Sequence, residues 1–91
     1  MDNKRIRNKK HFKKSIGKCK FCGENTYCTL NIHRIIPGKS KGKYRYSNVV
    51  VCCSNCHTKV HDNKIIIDKY YLCTNGKWLL RIIENEIDRF V

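Results

Sequence analysis

The sequence predicts a small α+β domain stapled by zinc and finished by a C-terminal β-hairpin, and three observations predict it. The pairs Cys19-Lys-Phe-Cys22 and Cys53-Ser-Asn-Cys56, thirty residues apart, each present two soft thiolates from one tight turn, the pattern of a closed tetrahedral Zn²⁺ site. Two short runs of strand formers, 27–35 and 48–52, flank a turn-rich loop, and the second runs straight into a polar stretch with helical spacing. Asn75-Gly76 separates two further apolar runs and signals a tight hairpin turn. At 91 residues the chain is one domain. A domain of that size buries only about 60% of its unfolded surface, so its core alone is marginal. Structural zinc, which contributes on the order of 10 kcal/mol in finger-like peptides, makes up the difference.

Taken in order, residues 1–17 are cationic and nearly free of apolar periodicity, and they read as a flexible basic arm that orders on a phosphate backbone. Residues 18–62 form the zinc-bound core. Cys19 to Cys22 with Gly23 makes a knuckle turn, 27–35 a strand ended by Pro37-Gly38, and 39–46 a basic loop with Tyr44 and Tyr46. Residues 48–52 return as a second strand, after which Ser54 caps a helix carrying Cys56, His57, Val60 and His61. Residues 63–91 hold the hairpin, with strands at 65–72 and 77–83; Leu79, Ile82, Ile83, Glu86, Ile87 and Phe90 also fit one face of a terminal helix. Tyr70, Tyr71 and Trp78 sit among apolar residues and read as hairpin core.

The chain carries 20 Lys and Arg against 7 Asp and Glu, a formal charge of +13. The excess is uneven, with eight cations and one Asp in residues 1–18 and near balance after His57. Such a surface, without a membrane-spanning run, points to a polyanion, DNA or RNA. Lys9, Lys10, Lys13 and Lys14 of the arm and Lys39, Lys41, Lys43 and Arg45 of the loop are the candidate phosphate contacts, with Tyr44 and Tyr46 as aromatic faces or as packing for the knuckle. Seven cysteines behind an N-terminus without an apolar signal core indicate a reducing, cytoplasmic setting, where paired Cys-x-x-Cys turns bind metal. Cys28, Cys52 and Cys73 are spare thiols. A composition heavy in Lys, Ile and Asn fits an AT-rich genome and a phage or mobile element. The apolar C-terminal region is the surface for a protein partner or a homodimer.

His57 and His61 stand four apart, which on a helix puts both imidazoles on one face. His33 on the preceding strand completes a candidate three-imidazole site for a second divalent ion, leaving coordination open for a phosphate oxygen and water.

The order of these parts carries a resemblance. The segment Leu30-Asn-Ile-His33-Arg-Ile-Ile-Pro37-Gly38, followed by Ser47-Asn48-Val-Val-Val-Cys52-Cys53-Ser-Asn-Cys56-His57-Thr-Lys-Val-His61, resembles the HNH nuclease motif, and the likeness covers residues 19–61. It implies a ββα-metal fold on a treble-clef-like zinc scaffold and cleavage of DNA phosphodiesters with Mg²⁺ or a similar ion. His57 and His61 then correspond to metal ligands, and Asn48 to the family's central Asn, which holds the loop between the strands or contacts the metal. Many members have two adjacent residues ahead of the Pro, a metal ligand and then the His that activates water; here they are His33 and Arg34. Arginine cannot be a general base, because its pKa stays above about 12. Three readings follow. His33 is itself the base, with its ordinary pKa of about 6.5. Alternatively, His33 is a ligand, a metal-bound hydroxide or an outside base acts, and Arg34 clamps the scissile phosphate. The third is a non-catalytic zinc module that binds nucleic acid or a polymerase as a regulator.

Overall fold

The computed structural model describes residues 3–91. The first helix, α1 (Lys9–Ile16), is followed by the knuckle and by a single 3₁₀ turn at Tyr27–Thr29. Strand β1 (Leu30–Arg34), a loop with two more 3₁₀ turns, and strand β2 (Val49–Cys53) lead into helix α2 (Ser54–His61). Strands β3 (Ile65–Leu72), β4 (Trp78–Glu84) and β5 (Ile87–Phe90) complete the chain. β1 and β2 pair antiparallel, with Leu30 opposite Cys53 and His33 opposite Val50. β3, β4 and β5 form a separate antiparallel meander in sequence order.

Zinc-type cysteines and aliphatic residues share one core. All five residues of β2 are buried, and Leu30, Val50, Val51, Ile65, Leu80 and Ile82 pack in one cluster with Cys19, Cys53 and Cys56. The core therefore runs from the knuckle through β2 to the inner face of the meander. The Tyr70 hydroxyl donates to the Val49 carbonyl at 2.9 Å, joining the two sheets. Burial raises that phenol to about 12. Tyr71 and Trp78, expected in the hairpin core, lie instead at its margin, each 37% exposed. The C-terminal sheet also leaves Ile66, Leu72, Ile87 and Phe90 exposed.

Two further sequence expectations, at the ends of the chain, need correction. The basic arm, whose first two residues lie outside the described residues, contains a docked helix. The Asn8 side chain caps α1 by accepting from the His11 amide at 2.9 Å, and Gly17, at φ 71°, ends it in the left-handed region that glycine tolerates. Ile6 is buried, its amide donates to the Tyr44 carbonyl at 2.8 Å, and Phe12 stacks on Tyr46 with ring centroids 5.4 Å apart. Two apolar anchors among many lysines suffice to pin the segment. At the other end, β5 replaces the helical alternative. Asn85 and Glu86 both have positive φ, 54° and 63°, the mark of a two-residue type I′ hairpin turn, so the chain reverses where a helix would continue. Among the described residues, no helix is long and apolar enough to cross a membrane.

Tyr70→Phe removes the tie between the sheets without changing shape. It is expected to lower unfolding stability by about 1 kcal/mol, read from urea midpoints; an unchanged midpoint would show that the hydroxyl does not hold the meander in place.

Candidate metal centre

Strand β2 ends at Cys53, whose extended backbone (φ −76°, ψ 167°) is the N-cap of α2. Ser54, expected to be that cap, is the first helical residue, and its hydroxyl donates to the Thr29 carbonyl at 3.2 Å. The corner brings Cys53 and Cys56 to the knuckle, where the Cys19 amide donates to the Glu24 carbonyl at 2.8 Å and Gly23, at φ 81°, folds back to the Cys19 carbonyl at 3.0 Å. The Lys20 amide donates to the Val51 carbonyl at 2.9 Å, fastening the knuckle to β2. The four Sγ atoms lie within 4.8 Å of one another, and those of Cys22 and Cys53 are 3.6 Å apart. Sulfurs at tetrahedral angles around zinc, with bonds near 2.3 Å, stand about 3.8 Å apart, so the cluster fits a closed zinc site.

The protonation pattern points the same way. Burial opposes ionisation of Cys19, but the backbone amides of Cys22, Cys53 and Phe21 converge on its sulfur and bring it down to about 7. Cys56 is pushed far up, by burial first and then by the sulfurs of Cys53, Cys19 and Cys22. One thiolate forms easily, and Cys22 and Cys56 then resist. A divalent cation among them removes that conflict. Cys52 points into the core and is raised to about 12, chiefly by burial. It is a packing thiol, and Cys28 and Cys73 also lie outside the cluster.

A second cluster stands on the same helix. His57 and His61 face together, their Nε2 atoms 3.0 Å apart. His33 reaches them from β1, with ring centroids 5.2 Å from His57 and 5.7 Å from His61. One ring nitrogen from each of the three lies within 4.8 Å of the others. Burial, then the His57 and His61 charges, lowers His33 to about 4. His57 is also lowered, by burial and then by His61. Both are neutral at physiological pH, the state in which imidazole binds a metal. His33 and His57 are half-buried and His61 is exposed, so the cluster is anchored on one side and open on the other. Such a donor set fits a divalent ion with room for a further ligand.

A family model for HNH endonuclease matches residues 19–63, the segment that carries both clusters. Residues 19–63 belong to the HNH endonuclease family. The type IV methyl-directed restriction enzyme EcoKMcrA of Escherichia coli (strain K12) is 32% identical over 82 residues, covering 82% of this chain and 26% of the relative. The chain thus spans about a quarter of that relative's length. No solved structure matches significantly.

Within the HNH domain, Asn48 holds the β1–β2 loop. Its Oδ1 accepts from the Ile36 amide at 2.8 Å, and its Nδ2 donates to the Ile36 and Lys43 carbonyls at 3.1 and 2.8 Å. Of the two roles offered by the resemblance, the loop-holding one matches this geometry, since the amide bonds three backbone groups. Arg34 also stands outside it. Neighbouring strand residues point to opposite faces, and the Arg34 guanidinium lies over the Tyr44 ring, with Cζ 4.5 Å from its centroid. It therefore does not share the histidines' face.

The predicted phosphate contacts divide. Lys10, Lys14, Lys39, Lys41, Lys43 and Arg45 are exposed, although Arg45 also donates to the Asn3 carbonyl at 3.2 Å. Lys9 stands 3.7 Å above the Tyr44 ring. Lys13 is drawn inward, donating to the Leu30 carbonyl at 3.1 Å and covering Tyr27. Arg5, which the sequence reading did not single out, joins the loop through an isolated bridge to Arg45. Only the contact of the N-terminal segment with that loop reveals it.

The His33 shift sets a pH dependence. The unfolded imidazole takes a proton near 6.5, whereas the folded one resists to about 4. The unfolded state thus binds more protons in between, so this contribution to stability is full above about 6.5 and is lost as pH falls toward 4. In zinc-loaded protein, His33→Gln is expected to flatten the fall in urea midpoint across that window relative to the native chain. Parallel curves would show that His33 is not held neutral by its surroundings.

Proposed function

We propose that the chain is an HNH-type endonuclease that hydrolyses DNA phosphodiester bonds with one divalent ion held by His33, His57 and His61, while Cys19, Cys22, Cys53 and Cys56 hold a structural zinc. The observation that carries this reading is the second cluster: three imidazoles converging on an open face beside a closed sulfur site. A structural role alone would not require three histidines to meet there. Bound to them, a divalent ion supplies Lewis-acid polarisation of the scissile phosphate and stabilises the leaving oxygen. Imidazole donors suit Ni²⁺ or Zn²⁺ better than Mg²⁺, so those ions should support faster cutting.

The chain's own residues do the rest. His57 and His61 orient the site from α2, His33 closes it from β1, and Asn48 keeps the intervening loop in one conformation. The surrounding lysines and arginines hold the DNA backbone, with the formal charge of +13 drawing it in. Four cysteines reserved for zinc fit a compartment that keeps cysteine reduced. Cleavage of DNA is the activity carried over from the restriction relative; methyl direction is described for a protein about three times as long.

The rival reading, a binding module without catalysis, rests on Arg34 standing where many relatives carry the water-activating histidine. A nicking assay decides between them. Zinc-replete protein with supercoiled plasmid is expected to nick when Mn²⁺ or Ni²⁺ is added, and His57→Ala should fall to the level seen without ion while retaining its zinc. His33→Ala separates two roles: a ligand's loss weakens ion affinity, whereas a base's loss slows turnover at unchanged ion affinity. DNA binding without cutting under any ion would leave the regulatory module as the function.

A further inference from the structure

On the other side of the β1–β2 loop from the histidines lies a cavity of about 220 Å³ whose lining includes Arg5, Lys9, Arg34 and Lys43 and, among the described residues, no acidic one. Among the described residues, the ion pairs are made by Arg81 and Arg89 on the C-terminal sheet, and none of these four cations takes part in one. Four positive groups around one small space normally repel. What holds two of them is an aromatic ring: Lys9 Nζ sits 3.7 Å and Arg34 Cζ 4.5 Å from the Tyr44 centroid. A carboxylate in that role would cancel the charge. The ring fixes the cations and leaves their field intact.

The backbone around the cavity is equally specific. A Cβ on Gly38 would fall 2.8 Å from Arg34 Nη1, so a side chain there would displace the guanidinium. A Cβ on Gly42 would fall 1.6 Å from the Ile36 carbonyl oxygen, so the loop closes only with glycine. Asn48 fixes the carbonyl of Lys43, and the Ile6 amide fixes that of Tyr44. The cations are therefore mounted on a rigid frame assembled from the N-terminal segment and the loop.

We infer that this cavity is a phosphate seat: it takes one non-scissile phosphodiester of bound DNA, with Arg5 and Arg34 as its principal contacts and Tyr44 as a positioning residue. The inference rests on the DNA-binding part of the proposed function. It explains why Arg34 faces away from the histidines, and it gives the N-terminal segment a place in substrate registration.

The test is the salt dependence of duplex binding, read by fluorescence anisotropy on the full zinc-loaded chain. One lost phosphate contact lowers the slope of log affinity against log salt by about 0.9. Arg34→Gln should show that loss, and Arg5→Gln added to it should lower the slope no further, because both serve the same phosphate. Tyr44→Leu should resemble Arg34→Gln, whereas Tyr44→Phe, which keeps the ring, should behave like the native chain. Lys77→Gln in the hairpin turn serves as the control, and zinc content reports that each variant is folded. Native slopes in Arg34→Gln and Tyr44→Leu, or a second full loss in the double variant, would overturn the seat and leave the nuclease reading intact. Failure of the native chain to bind duplex would overturn both.

Discussion

The corner at which β2 becomes α2 constrains everything around it. Cys53 ends the strand and caps the helix, Cys56 follows one turn later, and the two meet the knuckle cysteines in a cluster whose sulfurs lie within 4.8 Å of one another. A divalent cation would relieve the charge conflict among these thiols and would fix the start of α2. His57 and His61 inherit their orientation from that helix. A short helix of eight residues is marginal by itself; anchored at its first turn, it can present two imidazoles at a defined place.

Opposite it, β1 divides two surfaces by strand alternation. His33 faces the helix and Arg34 faces away, so adjacent residues serve different surfaces. The loop between the strands is held by the Asn48 amide on three backbone partners, and it supports the cationic cavity on its far side. The N-terminal segment closes that cavity from outside. Positive charge is thus organised on a frame, with a neutral aromatic ring taking the place that a carboxylate would otherwise fill.

Much of this was legible in sequence, for physical reasons that differ by element. The clustered cysteines and the histidine pair follow from local spacing, because a tight turn and a helical repeat place their donors without help from the rest of the chain. β2, β3 and β4 follow from dense runs of Val, Ile, Leu and Tyr. The N-terminal helix was hidden because eight cations in residues 1–18 dominate composition, whereas its anchoring depends on Ile6 and Phe12 finding distant partners. β5 was hidden because its turn uses Glu86 at positive φ, where Asn or Gly is the usual signal. The cavity holding Arg5 and Arg34 joins segments far apart in the chain, and no local pattern announces such a meeting.

The central claim is that one helix serves two different metal sites, one closed by sulfur and one open among imidazoles. Cobalt titration of the metal-free chain, followed by absorption, tests it most directly. The account predicts that the first equivalent brings an intense thiolate-to-cobalt charge-transfer band, and that a second, weaker class of binding follows without adding to that band and disappears in His57→Ala. Saturation at a single class, or loss of the thiolate band in His57→Ala, would contradict it.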